Sequence, residues 1–175
     1  MNKKLRGSLI ASIVITSFLI LPVLGFSDDT QMERETLRGI RGIGVLVFIG
    51  GSPGLKERLA LNESQLRREM ELDLQKAGVE IVPKAEKNVV SIFLLIFPAE
   101  RELTKTRVLY DAQLELHLLQ PVHLVRDPSI TSVASTWYVR GWWAGEEAMK
   151  HKIKDEVKEL VDIFIKAHSS VNPKK

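Results

Sequence analysis

The run Val89-Val90-Ser91-Ile92-Phe93-Leu94-Leu95-Ile96-Phe97 is apolar at every position except Ser91, and Pro98 follows it. β-Branched and aromatic residues dominate, which suits a pleated strand, and the run is short for a buried helix. Successive side chains of a strand point to opposite faces, so this one carries apolar groups on both. Such a strand belongs in the middle of a sheet and wants cover on each side. The rest of the chain has to supply that cover.

Ahead of it, the amino terminus reads as a targeting segment. Lys3, Lys4 and Arg6 precede an apolar run from Leu9 to Leu21, Pro22 breaks the run, and Gly25-Phe26-Ser27 offers the small-x-small pattern of a cleavage site. The run is shorter than the roughly 20 apolar residues of a spanning helix, so residues 1–27 are expected to be a cleaved signal peptide. An inner-membrane anchor through residues 9–24 is the alternative. The expected destination is the periplasm or the exterior. About 150 residues then remain, enough for one domain with its own core. Loss of those three cations takes the formal charge from +3 to neutral, which removes the electrostatic case for nucleic acid or an anionic surface. No Cys is present, so neither a disulfide nor a lipid-bearing cysteine is available.

Residues 28–40 are acidic and polar at first and are expected to form a flexible leader, with the domain at 41–170 and a tail at 171–175. Val45 to Ile49 reads as the first strand, ended by Gly50-Gly51-Ser52-Pro53-Gly54. Asn62 with Gln65 three residues on, Leu61 and Leu66 flanking them, and Gly78 at the far end frame a helix. Its inward positions are Leu66, Met70, Leu74 and Ala77. Val79 to Val82 follows as a short strand, parallel to the first because a helix connects them. Ala99 to Thr106 is expected to be a hairpin loop. Tyr110 to Leu118 alternates apolar and polar, Pro121 signals a bulge or edge, Arg126 to Ser129 a turn, and Thr131 to Trp143 a last strand. The final helix follows Gly145, with Met149, Ile153, Val157, Leu160, Val161, Phe164 and His168 inward.

The predicted fold is α+β: a five-stranded mixed sheet in the order β-α-β-β-β-β-α, with two helices on one face. The other face is then apolar with no helix to cover it, which predicts a partner, a dimer contact or a hydrophobic ligand.

The motifs assemble no active site. Gly50 to Lys56 follows a strand as a phosphate loop would, but Leu55 separates Gly54 from Lys56 and Glu57 stands where a hydroxyl is needed. Glu115 and His117 share a strand face, yet a catalytic zinc normally takes three protein ligands, and His123 lies about 20 Å along the strand. There is no nucleophile-elbow pattern. No catalytic, cofactor-binding or metal residue is therefore assigned, no cofactor is expected, and the chain is expected not to be an enzyme. By parity, Trp137 and Trp143 belong to the core, while Tyr138, Arg140 and Trp142 share the other face. These three residue types are enriched at interface hot spots and form the candidate interaction patch.

The element order, with the pattern Leu66…Leu74…Ala77-Gly78-Val79, resembles the small envelope modules typified by the amino-terminal domain of TolB and by curli-secretion-type lipoproteins, over Arg41 to His168. The TolB propeller has no counterpart in these 175 residues, nor is there a lipid-attachment Cys. The resemblance implies an envelope protein-interaction role and assigns no residue. The expected function is thus a scaffolding or interaction module with an envelope protein partner or a second copy. A small-molecule binder with a pocket between sheet and helices, near the tryptophans, is the alternative.

Overall fold

A computed structural model of the chain describes residues 29–82, 90–146 and 151–173. The predicted signal segment, Val89 and Met149 lie outside the described residues. The elements are α1 (Gln31–Glu35), β1 (Gly42–Ile49), α2 (Pro53–Arg58), α3 (Glu63–Ala77), β2 (Glu80–Ile81), β3 (Ser91–Thr104), β4 (Arg107–Leu124), β5 (Asp127–Gly145) and α4 (Lys152–Val171). The five strands form one sheet in the order β2-β1-β3-β4-β5. β1 runs parallel to both β2 and β3, and the remaining pairs are antiparallel. This is the mixed α+β sheet predicted from the sequence, with the apolar Ser91–Phe97 segment at its centre.

Local chemistry explains the helix ends. Asn62 Oδ1 accepts the Gln65 N–H at 2.9 Å, and Gly78 closes α3 in the left-handed conformation at φ 88°. The capping box is only half made, because the Gln65 side chain turns to Glu69, to which its Nε2 donates at 2.8 Å, and its Oε1 does not accept from the Asn62 N–H. α3 lies on β1 and β2, and α4 on β4 and β5, both on the same side of the sheet. Between them the core holds Ile43, Val45 and Ile49 of β1, Ile92, Leu94 and Ile96 of β3, and Leu114, Leu116 and Leu118 of β4. β5 contributes Trp137, Val139 and Trp143, and α4 contributes Ile153, Val157, Leu160, Val161 and Phe164.

Several expectations give way. The strand does not stop at Pro98. β3 continues through it to Thr104, and the hairpin turn shrinks to Lys105-Thr106. Ile96 is the last β3 residue whose carbonyl accepts from β1, through Gly50 N–H at 2.8 Å, so the missing Pro98 N–H faces a side where no strand remains. The Gly/Pro stretch after β1 is not all loop, since Ser52 caps α2 and Pro53 occupies its first turn.

The leader is not loose either. Thr30 and Glu33 make a reciprocal capping box at the start of α1, and Leu37 is fully buried behind it. Nor is the tail frayed at its start: Asn172 Nδ2 donates to the Leu37 carbonyl at 2.9 Å, and its Oδ1 accepts from Gly39 N–H at 2.7 Å. His168, inward-facing as its helical spacing predicts, places Nε2 2.9 Å from the Ile40 carbonyl. The two ends of the domain are clasped together beside β5.

Candidate interaction face

The side of the sheet opposite the helices is built by register. Leu46, Phe93, His117 and Tyr138 form one row across β1, β3, β4 and β5. The next row is Phe48, Leu95, Glu115 and Arg140, and the third is Phe97, Gln113 and Trp142. Each row passes from apolar on β1 and β3 to polar or amphipathic on β4 and β5. The residues buried together with α3 and α4 are those of the opposite parity, Val45, Ile92, Leu94, Ile96, Leu116 and Trp137 among them. Phe48 is 47% exposed, Phe97 45% and Trp142 51%, whereas Ile92, Leu94 and Ile96 on the helix side are fully buried.

The aromatic groups touch one another. The Phe48 and Phe97 rings meet edge-on with centroids 6.4 Å apart, and His117 stacks on Tyr138 at 5.7 Å. Arg140 lies over the Tyr138 ring, 5.5 Å from its centroid, and donates to Tyr138 Oη at 3.2 Å. Tyr138, Arg140 and Trp142, singled out from the sequence by parity, lie in successive rows of this face. Trp137 and Trp143 point the other way into the core.

Parity placed Glu115 and His117 on one face of β4, but sequence reasoning missed the polar chain that joins them to Gln113 and Ser135. Gln113 Nε2 donates to Glu115 Oε1 at 2.7 Å, Glu115 Oε2 meets His117 Nε2 at 3.1 Å, and His117 Nδ1 meets Ser135 Oγ at 2.9 Å. A carboxylate only accepts, so in the neutral ring Nε2 carries the proton and Nδ1 accepts from Ser135. The hydrogen bond from His117 is the main reason the Glu115 carboxyl sits below its ordinary range; partial burial opposes it, and Gln113 and then Arg140 add to it. Ser135 joins this chain through the β5 bulge, where Thr136 is extra: Trp137 pairs with Leu118 and Ser135 with Leu119.

Serine, imidazole and carboxylate stand here in the order of a hydrolase relay. Acyl transfer also needs donors aimed at the developing oxyanion. Ser135 Oγ carries a single proton, which His117 Nδ1 at 2.9 Å and the Trp137 carbonyl at 3.4 Å can each accept. The chain orients the polar half of the face and keeps Tyr138 stacked.

Among the described residues no group of three His, Cys, Asp or Glu side chains could hold a metal ion. Gly50 to Lys56, the phosphate-loop-like stretch, is spent on capping α2: Ser52 Oγ accepts the Leu55 N–H at 3.3 Å. The place expected for an alternative ligand pocket, between sheet and helices beside the tryptophans, is occupied by Trp137 packed edge-on against Phe164 with centroids 5.3 Å apart. One groove of about 260 Å³ lies between α3 and α4, with Met70, Val157 and Val161 as its floor and Glu69, Asp73, Lys154 and Lys158 at its rim. A smaller hollow of about 150 Å³ sits at the β1 edge by Val47, Glu63 and Arg67. Neither touches a tryptophan.

No protein-family model matches the chain, and no curated protein matches it. Among solved structures it is similar to a minor lipoprotein from Acinetobacter baumannii, at 10% identity and TM-score 0.39 over 76% of this chain and 93% of that one. It is also similar to the rare lipoprotein B from Shewanella oneidensis, at 14% identity and TM-score 0.35 over 74% and 96%. A third is a neuraminyllactose-binding hemagglutinin homolog from Helicobacter pylori, at 11% identity and TM-score 0.33 over 75% and 86%. None of the three is a TolB domain.

Proposed function

We propose that the chain is an exported, non-enzymatic interaction module of the bacterial envelope, and that it docks a partner protein on the open face of its sheet. The observation that carries this reading is the contrast between two sides of one strand. On β3, Ile92, Leu94 and Ile96 are sealed by helices, while Phe97 and its neighbour Phe48 are left about half in water, with the half-exposed Trp142 in the same row as Phe97, on the far side of Gln113. Contiguous apolar surface bordered by polar groups is characteristic of protein interfaces. Here the border is Gln113, Glu115 and His117, and the Trp, Tyr and Arg of β5 are the types that dominate binding energy. Export rests on Lys3, Lys4, Arg6, the Leu9–Leu21 run and the Gly25-Phe26-Ser27 pattern. Among the described residues no helix is long and apolar enough to cross a membrane.

The test is capture of a stoichiometric partner from envelope extract by the wild type and by Trp142→Ala. The variant should fold normally, since half of the ring is already solvated, and should weaken the complex by about tenfold or more. Capture unchanged by the substitution removes the face from the interaction.

A further inference from the structure

Among the described residues, the outer strand β5 carries an edge that the rest of the sheet does not protect. β3 pairs with β4 only as far as Ser91–Leu119, so Gln120 to Ser135 projects past the sheet as a two-stranded arm. Ser129 to Val133 and Ser135 are exposed on it, Val125 entirely so, and Val133 is 64% exposed. Two strands alone are marginal in water. The two long edges of this arm differ. The β4 side contains Pro121, which has no N–H to offer an incoming strand. The β5 side reads Ser-Ile-Thr-Ser-Val-Ala-Ser-Thr-Trp-Tyr from Ser129 to Tyr138, with no Pro and no charge.

Edge strands are ordinarily blunted by charges or Pro. The opposite arm of this same sheet shows it: Glu100, Arg101 and Arg107 there are paired with Arg58, Asp111 and Glu146. Past the Asp127-Pro128 start of β5, the edge from Ser129 to Ser135 carries no charge and no Pro, and at Thr136 the chain entering from α1 comes alongside, with Thr36 Oγ1 3.2 Å from the Thr136 carbonyl.

We infer that Ser129–Ser135 of β5 pairs antiparallel with the same segment of a second copy, across a two-fold axis at Ser132. That register sets Thr131 opposite Val133, Ile130 opposite Ala134 and Ser129 opposite Ser135. Every pair is β-branched, small or hydroxyl-bearing, and none is a like-charge clash. The two domains then lie beyond opposite ends of a paired stretch about 20 Å long, clear of each other. The helices of both copies stay on one side, and the pairing makes a continuous ten-stranded sheet. This contact is independent of the docking proposed on the open face.

Sedimentation velocity on the purified protein, from roughly micromolar to sub-millimolar concentration, tests it together with Ser132→Lys and Ser132→Glu. Ser132 is exposed, and circular dichroism confirms that each variant is folded. The wild type should dimerise, and each variant alone should raise the dissociation constant at least about tenfold, since it places like charges face to face. An equimolar mixture of the two variants should recover the dimer. A wild type that stays monomeric throughout, variants that dimerise as the wild type does, or a mixture that fails to recover each overturns the inference.

Discussion

Phe48 of β1 and Phe97 of β3 meet edge-on on the side of the sheet that, among the described residues, carries no helix, their ring centroids 6.4 Å apart and their planes inclined by 60°. Two aromatic side chains that pack on each other while each stays about half exposed contribute little to folding. Phe97→Ala should therefore destabilise the domain far less than Phe164→Ala, whose ring is fully buried against Trp137 and whose loss should cost about 3–5 kcal/mol. Urea unfolding of the two variants measures the contrast. Equal losses would mean that the open face is part of the core.

The Glu115–His117 contact gives the open face a dependence on acid. The folded-state carboxyl titrates below its ordinary value of 4.5, so its contribution to stability is complete above that pH and is lost as the pH falls through the lower folded value. Glu115→Gln should flatten that part of the curve of melting temperature against pH, leaving the two proteins closest at the acid end. A variant curve parallel to the wild type would contradict the pairing.

Glu156 on α4 behaves in the opposite sense. Burial and the neighbouring Glu159 and Asp155 raise its carboxyl above the ordinary value, and an added Cβ on Gly141 of β5 would lie 3.6 Å from its Oε2. The fold disfavours the ionised form, so its penalty is present above the folded value and relieved as pH falls through it. Glu156→Gln should melt higher than the wild type at neutral pH, and the gap should close in acid. A lower melting temperature at neutral pH would count against the assignment.

Gly78 closes α3 at φ 88°, a conformation that costs a side-chain-bearing residue about 1–2 kcal/mol. Gly78→Ala should lower stability by about that amount in chemical unfolding, without altering any surface of the open face. No measurable loss would mean that the cap relaxes.

Much of this architecture is readable in the residues, and the parts that are not have definite causes. The Asn62 and Gly78 signals bound α3 because capping is local chemistry, and parity separates Trp137 and Trp143 from Tyr138 and Trp142 because a strand alternates regardless of its partner. Thr30 with Glu33 carried a capping signal of the same kind for α1, hidden in a stretch whose acidity suggested a solvated leader. Pro98 inside β3 is another matter. Its tolerance depends on where β1 ends, which is a fact of register and not of composition. The charged residues Glu100, Arg101 and Glu102 stay extended because a hairpin ladder is made by backbone groups and accepts polar side chains on both faces. Ser135 reaches His117 only through the Thr136 bulge, a displacement that no spacing in the sequence announces.

Photocrosslinking in intact cells tests the open face most directly. A benzophenone amino acid placed at Phe97 or Trp142 should yield one discrete higher-mass adduct with a partner protein, while the same group at Glu159, on the exposed side of α4, should yield none. Absence of adducts from both sheet positions, or equal yield from Glu159, would contradict docking on the bare side of the sheet.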